Sequence, residues 1–128
     1  MAAVVVDTTV LIDHLRGRTE AQAALAAIIE AGDELCGVTI SRTEVLAGMR
    51  RGEEAATYRL LGSVRWIDVT TDLADAAGRL AQRYLRSHRG VETADLLIAA
   101  ATEAIDGRLL TLNVRHFPMF EGLQPAYE

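Results

Sequence analysis

Four short apolar runs, each followed by a segment of helical character, constrain this chain more than any other feature. The first, Ala2–Val6, ends in three consecutive valines and stops at Asp7. A strand that carries apolar side chains on both faces is a strand buried on both faces, as in a parallel sheet. Leu35–Ile40, Val64–Val69 and Arg108–Leu112 read as three more strands. Between them the spacing predicts helices over Thr8–Leu15, Glu20–Ala31, Arg42–Arg50, Glu53–Leu61, Thr71–Ser87 and Thr93–Ile105. Asn113–Phe120 reads as a helical turn or loop, and Leu123–Ala126 as a strand whose Pro125 suits a sheet edge. Strands alternating with helices imply an α/β fold: a mainly parallel sheet of four to five strands, helices on both faces, one domain over residues 1–128.

Composition narrows the class. Half of the 128 residues are hydrophobic and 24% are charged, enough to bury a core. Cys36 is the only cysteine, which rules out an internal disulfide and a cysteine-rich zinc ribbon. No apolar run nears the roughly 20 residues that span a bilayer. No basic stretch precedes the first apolar run, so a cytoplasmic protein with no membrane partner is expected. All 13 basic residues are arginine, against 18 acidic ones, for a net charge of −5. That balance argues against a nonspecific nucleic-acid coat protein. A nuclease remains open, since its acidic pocket is offset by metal.

Three acids stand where the fold class puts ligand sites, beyond the carboxyl ends of the strands. Asp7 follows the first strand directly. Glu44 falls in the first turn of the helix after the second, and Asp95 in the first turn of the most hydrophobic helix. Singly, each has an ordinary structural account. First-turn carboxylates gain about 0.3–1 kcal/mol from the helix dipole. Glu44 could be the return half of a capping box begun by Ser41, and Asp7 an N-cap. Jointly they differ, because carboxylates gathered in a partly dry cleft repel one another. With no lysine to neutralise them, a divalent cation resolves the conflict. Hard oxygen ligands select Mg2+ or Mn2+, and such a site suits phosphoryl chemistry.

Four segments then carry a resemblance. Val4-Val5-Val6-Asp7-Thr8-Thr9-Val10-Leu11-Ile12-Asp13, Ile40-Ser41-Arg42-Thr43-Glu44-Val45-Leu46-Ala47-Gly48, Thr93-Ala94-Asp95-Leu96-Leu97-Ile98-Ala99-Ala100 and Leu110-Thr111-Leu112-Asn113-Val114-Arg115-His116-Phe117 occur in this order. They resemble the signature blocks of PIN-domain ribonucleases, specifically the VapC-type toxins of bacterial type II toxin–antitoxin pairs. The resemblance spans the chain. It implies an endoribonuclease dependent on Mg2+ or Mn2+ that leaves a 5′-phosphate and a 3′-hydroxyl. It also implies a homodimer, and a small antitoxin whose carboxyl-terminal segment blocks the acidic pocket. Carried over by position, Asp7, Glu44 and Asp95 match the first three family acids and are the expected metal ligands. Many relatives place a fourth, an aspartate, where this chain has Asn113 or His116. Asn113 is retained as a catalytic candidate through its carbonyl oxygen, and His116 as a possible phosphate contact. Asp13 is either an auxiliary acid or an exposed helix residue.

Weaker features complete the reading. Arg79, Arg83, Arg86 and Arg89 form either an RNA-backbone stripe or a solvated helix face. Arg42 and Arg115, inside the signature blocks, are nearer candidates for substrate contact. Trp66, Tyr58 and Tyr84 suit core or subunit interface. The apolar residues of the first two helices, Val10, Leu11, Leu15, Leu25, Ile28 and Ile29, exceed what one sheet face needs, which leaves room for a partner. Two other functional classes fit the same acids. One is a non-catalytic PIN-like RNA-binding or regulatory module. The other is a different metal-dependent phosphohydrolase.

Overall fold

Val4, Val5 and Val6 have no solvent exposure, and strand β1 (Ala3–Val6) that holds them is the axis of the architecture. The computed structural model describes residues 1–128. Three further strands, β2 (Glu34–Val38), β3 (Arg65–Ile67) and β4 (Arg108–Leu110), complete one sheet in the order β3-β2-β1-β4. Every pairing is parallel, with Val5 opposite Cys36 on one side and Leu109 on the other. Six helices join the strands: α1 (Thr8–Leu15), α2 (Thr19–Glu30), α3 (Thr39–Ala47), α4 (Glu54–Gly62), α5 (Thr71–Tyr84) and α6 (Thr93–Ala104).

Because successive strand residues point to opposite faces, the sheet divides the interior into two cores. Val4, Val6 and Leu35 pack with Val10 and Leu11 of α1, Leu25 and Ile28 of α2, and Leu60 and Leu61 of α4. Val5, Cys36 and Leu109 pack on the other face with Leu73, Ala77 and Leu80 of α5 and the apolar middle of α6. Cys36 is therefore a small buried hydrophobe. Phe117, beyond β4, closes the second core and is 1% exposed. The excess of apolar residues on the first two helices is largely absorbed by the first core, with Ile29 left outside at 59% exposure.

The expected architecture holds, with four strands, and three local readings are corrected. Leu123–Ala126 forms no fifth strand. Ala126 makes a single backbone bond, its amide donating to Thr111 O at 2.8 Å, and Pro125 has no amide to extend a ladder. The β-branched stretch Val38-Thr39-Ile40 is strand only to Val38, because α3 begins at Thr39 and not at Arg42. Thr39 hydroxyl accepts the Val69 amide at 3.2 Å and so ties the helix start to the chain leaving β3. Consequently Ser41 is not an N-cap but a wholly buried residue inside α3. Glu44 then lies in the body of the helix, not in its first turn, and completes no capping box.

The parallel arrangement aims the carboxyl ends of all strands at one rim. The chain from β1 to β3 builds one way across the sheet, while β4 lies on the other side of β1. Adjacent strands whose connections leave in opposite directions open a crevice at that rim. Here it lies between the ends of β1 and β4.

Candidate active site

A cleft of about 470 Å³ occupies that crevice. Asp7, Thr8 and Thr9 line it from the end of β1 and the start of α1, and Glu44 from α3. Glu92 and Asp95 line it from the entry to α6, and Asn113 and His116 from the segment after β4. All four residues expected to act together, Asp7, Glu44, Asp95 and Asn113, thus border one space. Asp13, six positions on from Asp7, does not. Its carboxylate accepts the Tyr127 hydroxyl at 2.8 Å and pairs with Arg18 at 3.3 Å, so it fastens the carboxyl-terminal segment to α1.

Asp7 is held on both oxygens. Oδ1 accepts the Thr8 amide at 2.8 Å, which also makes Asp7 the N-cap of α1. Oδ2 accepts the Thr111 hydroxyl at 2.7 Å. Thr111 Oγ1 in turn accepts the Asn113 amide at 3.0 Å, so the chain after β4 is folded back onto the same carboxylate. The capping role and a role in the cleft are therefore compatible: each oxygen spends one lone pair on the protein and keeps another. Asp7 is only 5% exposed. Burial pushes its carboxyl above the ordinary value of 3.8; the Thr111 and Thr8 donors oppose this, the Glu44 charge adds to it, and His116 opposes it.

Asp95 sits in the first turn of α6, where its Oδ2 accepts the Glu92 amide at 2.9 Å. The same oxygen lies 3.1 Å from His116 Nδ1. Burial raises its carboxyl too, and the charge of Asp7 adds to the rise. Glu44 is solvent-exposed at the lip of the cleft. Thr8 Oγ1 lies 2.8 Å from both Glu44 Oε1 and Ser41 Oγ. A hydroxyl has one proton, so Thr8 donates to the carboxylate while the buried Ser41 hydroxyl donates to Thr8. Asn113 Nδ2 donates to Thr9 Oγ1 at 3.3 Å, which turns its carbonyl oxygen away from that contact.

The donor set suits a hard divalent cation. It is all oxygen apart from His116, two of its carboxylates are desolvated and destabilise each other, and no lysine or arginine lines the cleft. No three acidic, histidine or cysteine side chains stand close enough together to enclose an ion between them. A cation here would therefore be held by one or two carboxylates and retain much of its water, as Mg2+ can.

The sequence points to neither the Thr8 nor the Thr111 hydroxyl, and to Ser41 only as a helix cap, although these three hydroxyls are what hold the acids in place. Their signal was proximity: each lies inside one of the acid-bearing blocks. The other sequence candidates fall elsewhere. Arg42 stacks over Trp66 at 5.4 Å, Arg79 and Arg83 lie on an exposed face of α5, and Arg86 is exposed just beyond its end. Trp66 donates its indole N–H to Leu61 O at 2.9 Å, Tyr84 packs on the second core, and Tyr58 is exposed.

Residues 4–119 match the PIN-domain family model. The chain belongs to the PIN-domain family. Within it, this PIN-domain protein is 49% identical over 122 residues to Ribonuclease VapC19 of Mycobacterium tuberculosis, covering 95% of this chain and 98% of that one. It is 42% identical over 124 residues to Ribonuclease VapC10 of the same organism, covering 97% and 92%. Among solved structures it is similar to a toxin-antitoxin complex from Klebsiella pneumoniae. That match has a TM-score of 0.79, 28% identity and 98% coverage of each chain. It shares its fold with VapBC2 from Rickettsia felis bound to a promoter DNA fragment, at a TM-score of 0.72 and 17% identity over 88% of this chain and 89% of that one. This PIN-domain protein is thus a VapC-type ribonuclease by descent, and PIN-domain ribonucleases of this type depend on a divalent metal.

Proposed function

We propose that the cleft at the ends of β1 and β4 is where this VapC-type ribonuclease hydrolyses the RNA backbone, as the toxin of a toxin–antitoxin pair. The observation that carries the reading is the pair of desolvated carboxylates, Asp7 and Asp95, set in one cleft with no lysine or arginine to neutralise them. Asp7 and Asp95 would hold a divalent cation, Mg2+ or Mn2+, with Glu44 at the lip reaching it through water. When bound, such an ion supplies positive charge against the phosphate and lowers the pKa of coordinated water. The protein's own contribution is position. Thr111 and the Thr8 amide fix Asp7, the Glu92 amide fixes Asp95, and the Thr8 hydroxyl fixes Glu44. Asn113, held by Thr9 and by its own amide, presents a neutral oxygen where relatives have an acid.

No helix is long and apolar enough to cross a membrane, which agrees with the proposed cytoplasmic setting, where RNA is met. For an antitoxin, the surface offers an apolar groove of about 470 Å³ between α1, α2 and α4, lined by Leu15, Leu25, Ile29 and Leu60. A homodimer belongs to the same reading.

The test is cleavage of RNA, single-stranded DNA and a phosphomonoester with Mg2+, Mn2+ or chelator. RNA alone is expected to be cut, with metal only, leaving 5′-phosphate ends. Asp7→Asn and Asp95→Asn are each expected to lose at least about a hundredfold in rate, since each would remove an anionic ligand of the cation that stabilises the reacting phosphate, an effect worth several kcal/mol. A folded Asp95→Asn protein that cleaves at the wild-type rate would sink the assignment. RNA binding without cleavage in either metal would leave a binding module instead.

A further inference from the structure

One amide donates to one oxygen of Asp95 and an imidazole edge packs against that same oxygen, while the other oxygen has no protein partner. The Glu92 amide lies 2.9 Å and His116 Nδ1 3.1 Å from Oδ2, while Oδ1 has no protein partner and Asp95 borders the cleft. His116 itself is bracketed. Its Nδ1 edge faces Asp95, and its Nε2 edge lies over Gly90, where an added Cβ would sit 3.7 Å from Nε2. Gly90 has φ +87, a conformation that side-chain-bearing residues rarely adopt, so the loop before α6 is shaped to pass beneath the ring. Phe117, next in sequence and 1% exposed, anchors the segment in the core, while the imidazole itself stays partly exposed at the cleft.

We infer that His116 is a positioning residue: packed against Oδ2 beside the Glu92 amide, it holds the Asp95 carboxylate in the orientation that a cation in the cleft would meet. This inference rests on the metal-site reading given above. In this chain the imidazole serves the third acid. Groups that orient a metal ligand from behind typically change metal affinity by about 10–100-fold when removed.

The experiment is Mn2+ binding to the metal-free full chain, by calorimetry and electron paramagnetic resonance, for wild type, His116→Ala and His116→Asn. Wild type is expected to bind Mn2+, and His116→Ala at least about tenfold more weakly. His116→Asn, whose amide can place a donor near the site of Nδ1, is expected to recover part of that loss. Pulsed resonance on the wild-type complex is expected to show no coupling to a directly bound nitrogen. Equal affinity in His116→Ala and wild type overturns the inference, as does a direct nitrogen coupling, which would make His116 a ligand. Far-ultraviolet circular dichroism identifies a variant that has not folded, and the wild-type coupling measurement then decides. If wild type itself binds no Mn2+, the failure lies with the metal-site reading and not with His116.

Discussion

Asp7 illustrates at the residue scale how function strains this fold. Its charge is buried beside two other acids, and burial raises its carboxyl above the ordinary 3.8. The folded metal-free chain therefore holds protons that the unfolded chain has released. Its contribution, and that of Asp95, favours folding below the ordinary carboxyl value and is lost as pH climbs through the raised values. At neutral pH both ionised groups cost stability. Asp7→Asn removes the charge and can keep both bonds, its carbonyl accepting the Thr8 amide and its NH2 donating to Thr111. Without metal, that variant is expected to melt roughly 2–5 °C higher than wild type, the shift that about 1 kcal/mol gives a domain of this size. Calorimetry at pH 7 checks it, and the difference should shrink as pH is lowered towards 4. Asp7 was legible because an acid directly after a buried strand needs a reason. What the sequence did not disclose is that capping and catalysis share the residue, since the donor to Oδ2 comes from Thr111, 104 positions away.

Between elements, the informative contact joins α1 to α3. Thr8 lies at the start of one helix, and Ser41 and Glu44 lie in the other. Thr8→Val would leave the Ser41 hydroxyl buried without its partner, at a cost of about 1–3 kcal/mol, and would free Glu44. The double variant Thr8→Val, Ser41→Ala is expected to regain most of that stability and none of the lost cleavage. Urea midpoints and cleavage rates measured on the same samples separate the two effects. This link also explains where sequence reasoning slipped. Val38-Thr39-Ile40 has the side chains of a strand, and Ser41 with Glu44 has the spacing of a capping box. Tertiary contacts overrode both: the tether from Thr39 to Val69 starts the helix early, and burial of Ser41 under Thr8 requires it. The strong periodicity of α5 and the apolar body of α6 faced no such competition and are found as read, α5 ending at Tyr84.

For the molecule as a whole, the sheet separates two jobs. The candidate cleft sits at the rim, while the groove of α1, α2 and α4 lies on one face. Ile29, 59% exposed beside that groove, touches neither the cleft nor its supports. Ile29→Arg is therefore expected to leave RNA cleavage within about twofold of wild type. It should weaken neutralisation by the cognate antitoxin by at least about tenfold, the effect of an unpaired charge at an apolar contact. Titrating cleavage with antitoxin gives both numbers. The doubly covered sheet was legible because apolar runs between helices admit few other arrangements. The groove was not, since most of the apolar surplus that hinted at a partner is spent inside the first core.

The bond between Thr111 and Asp7 has one more consequence. β4 is laid down last of the four strands, yet it borders the first and supplies the hydroxyl that steadies the first acid. During translation the ribosome therefore releases a chain whose sheet lacks an edge and whose cleft lacks a wall until the segment around Asn113 has cleared the exit tunnel. An RNA-cutting protein assembled in this order lacks a complete cleft until β4 has joined the sheet.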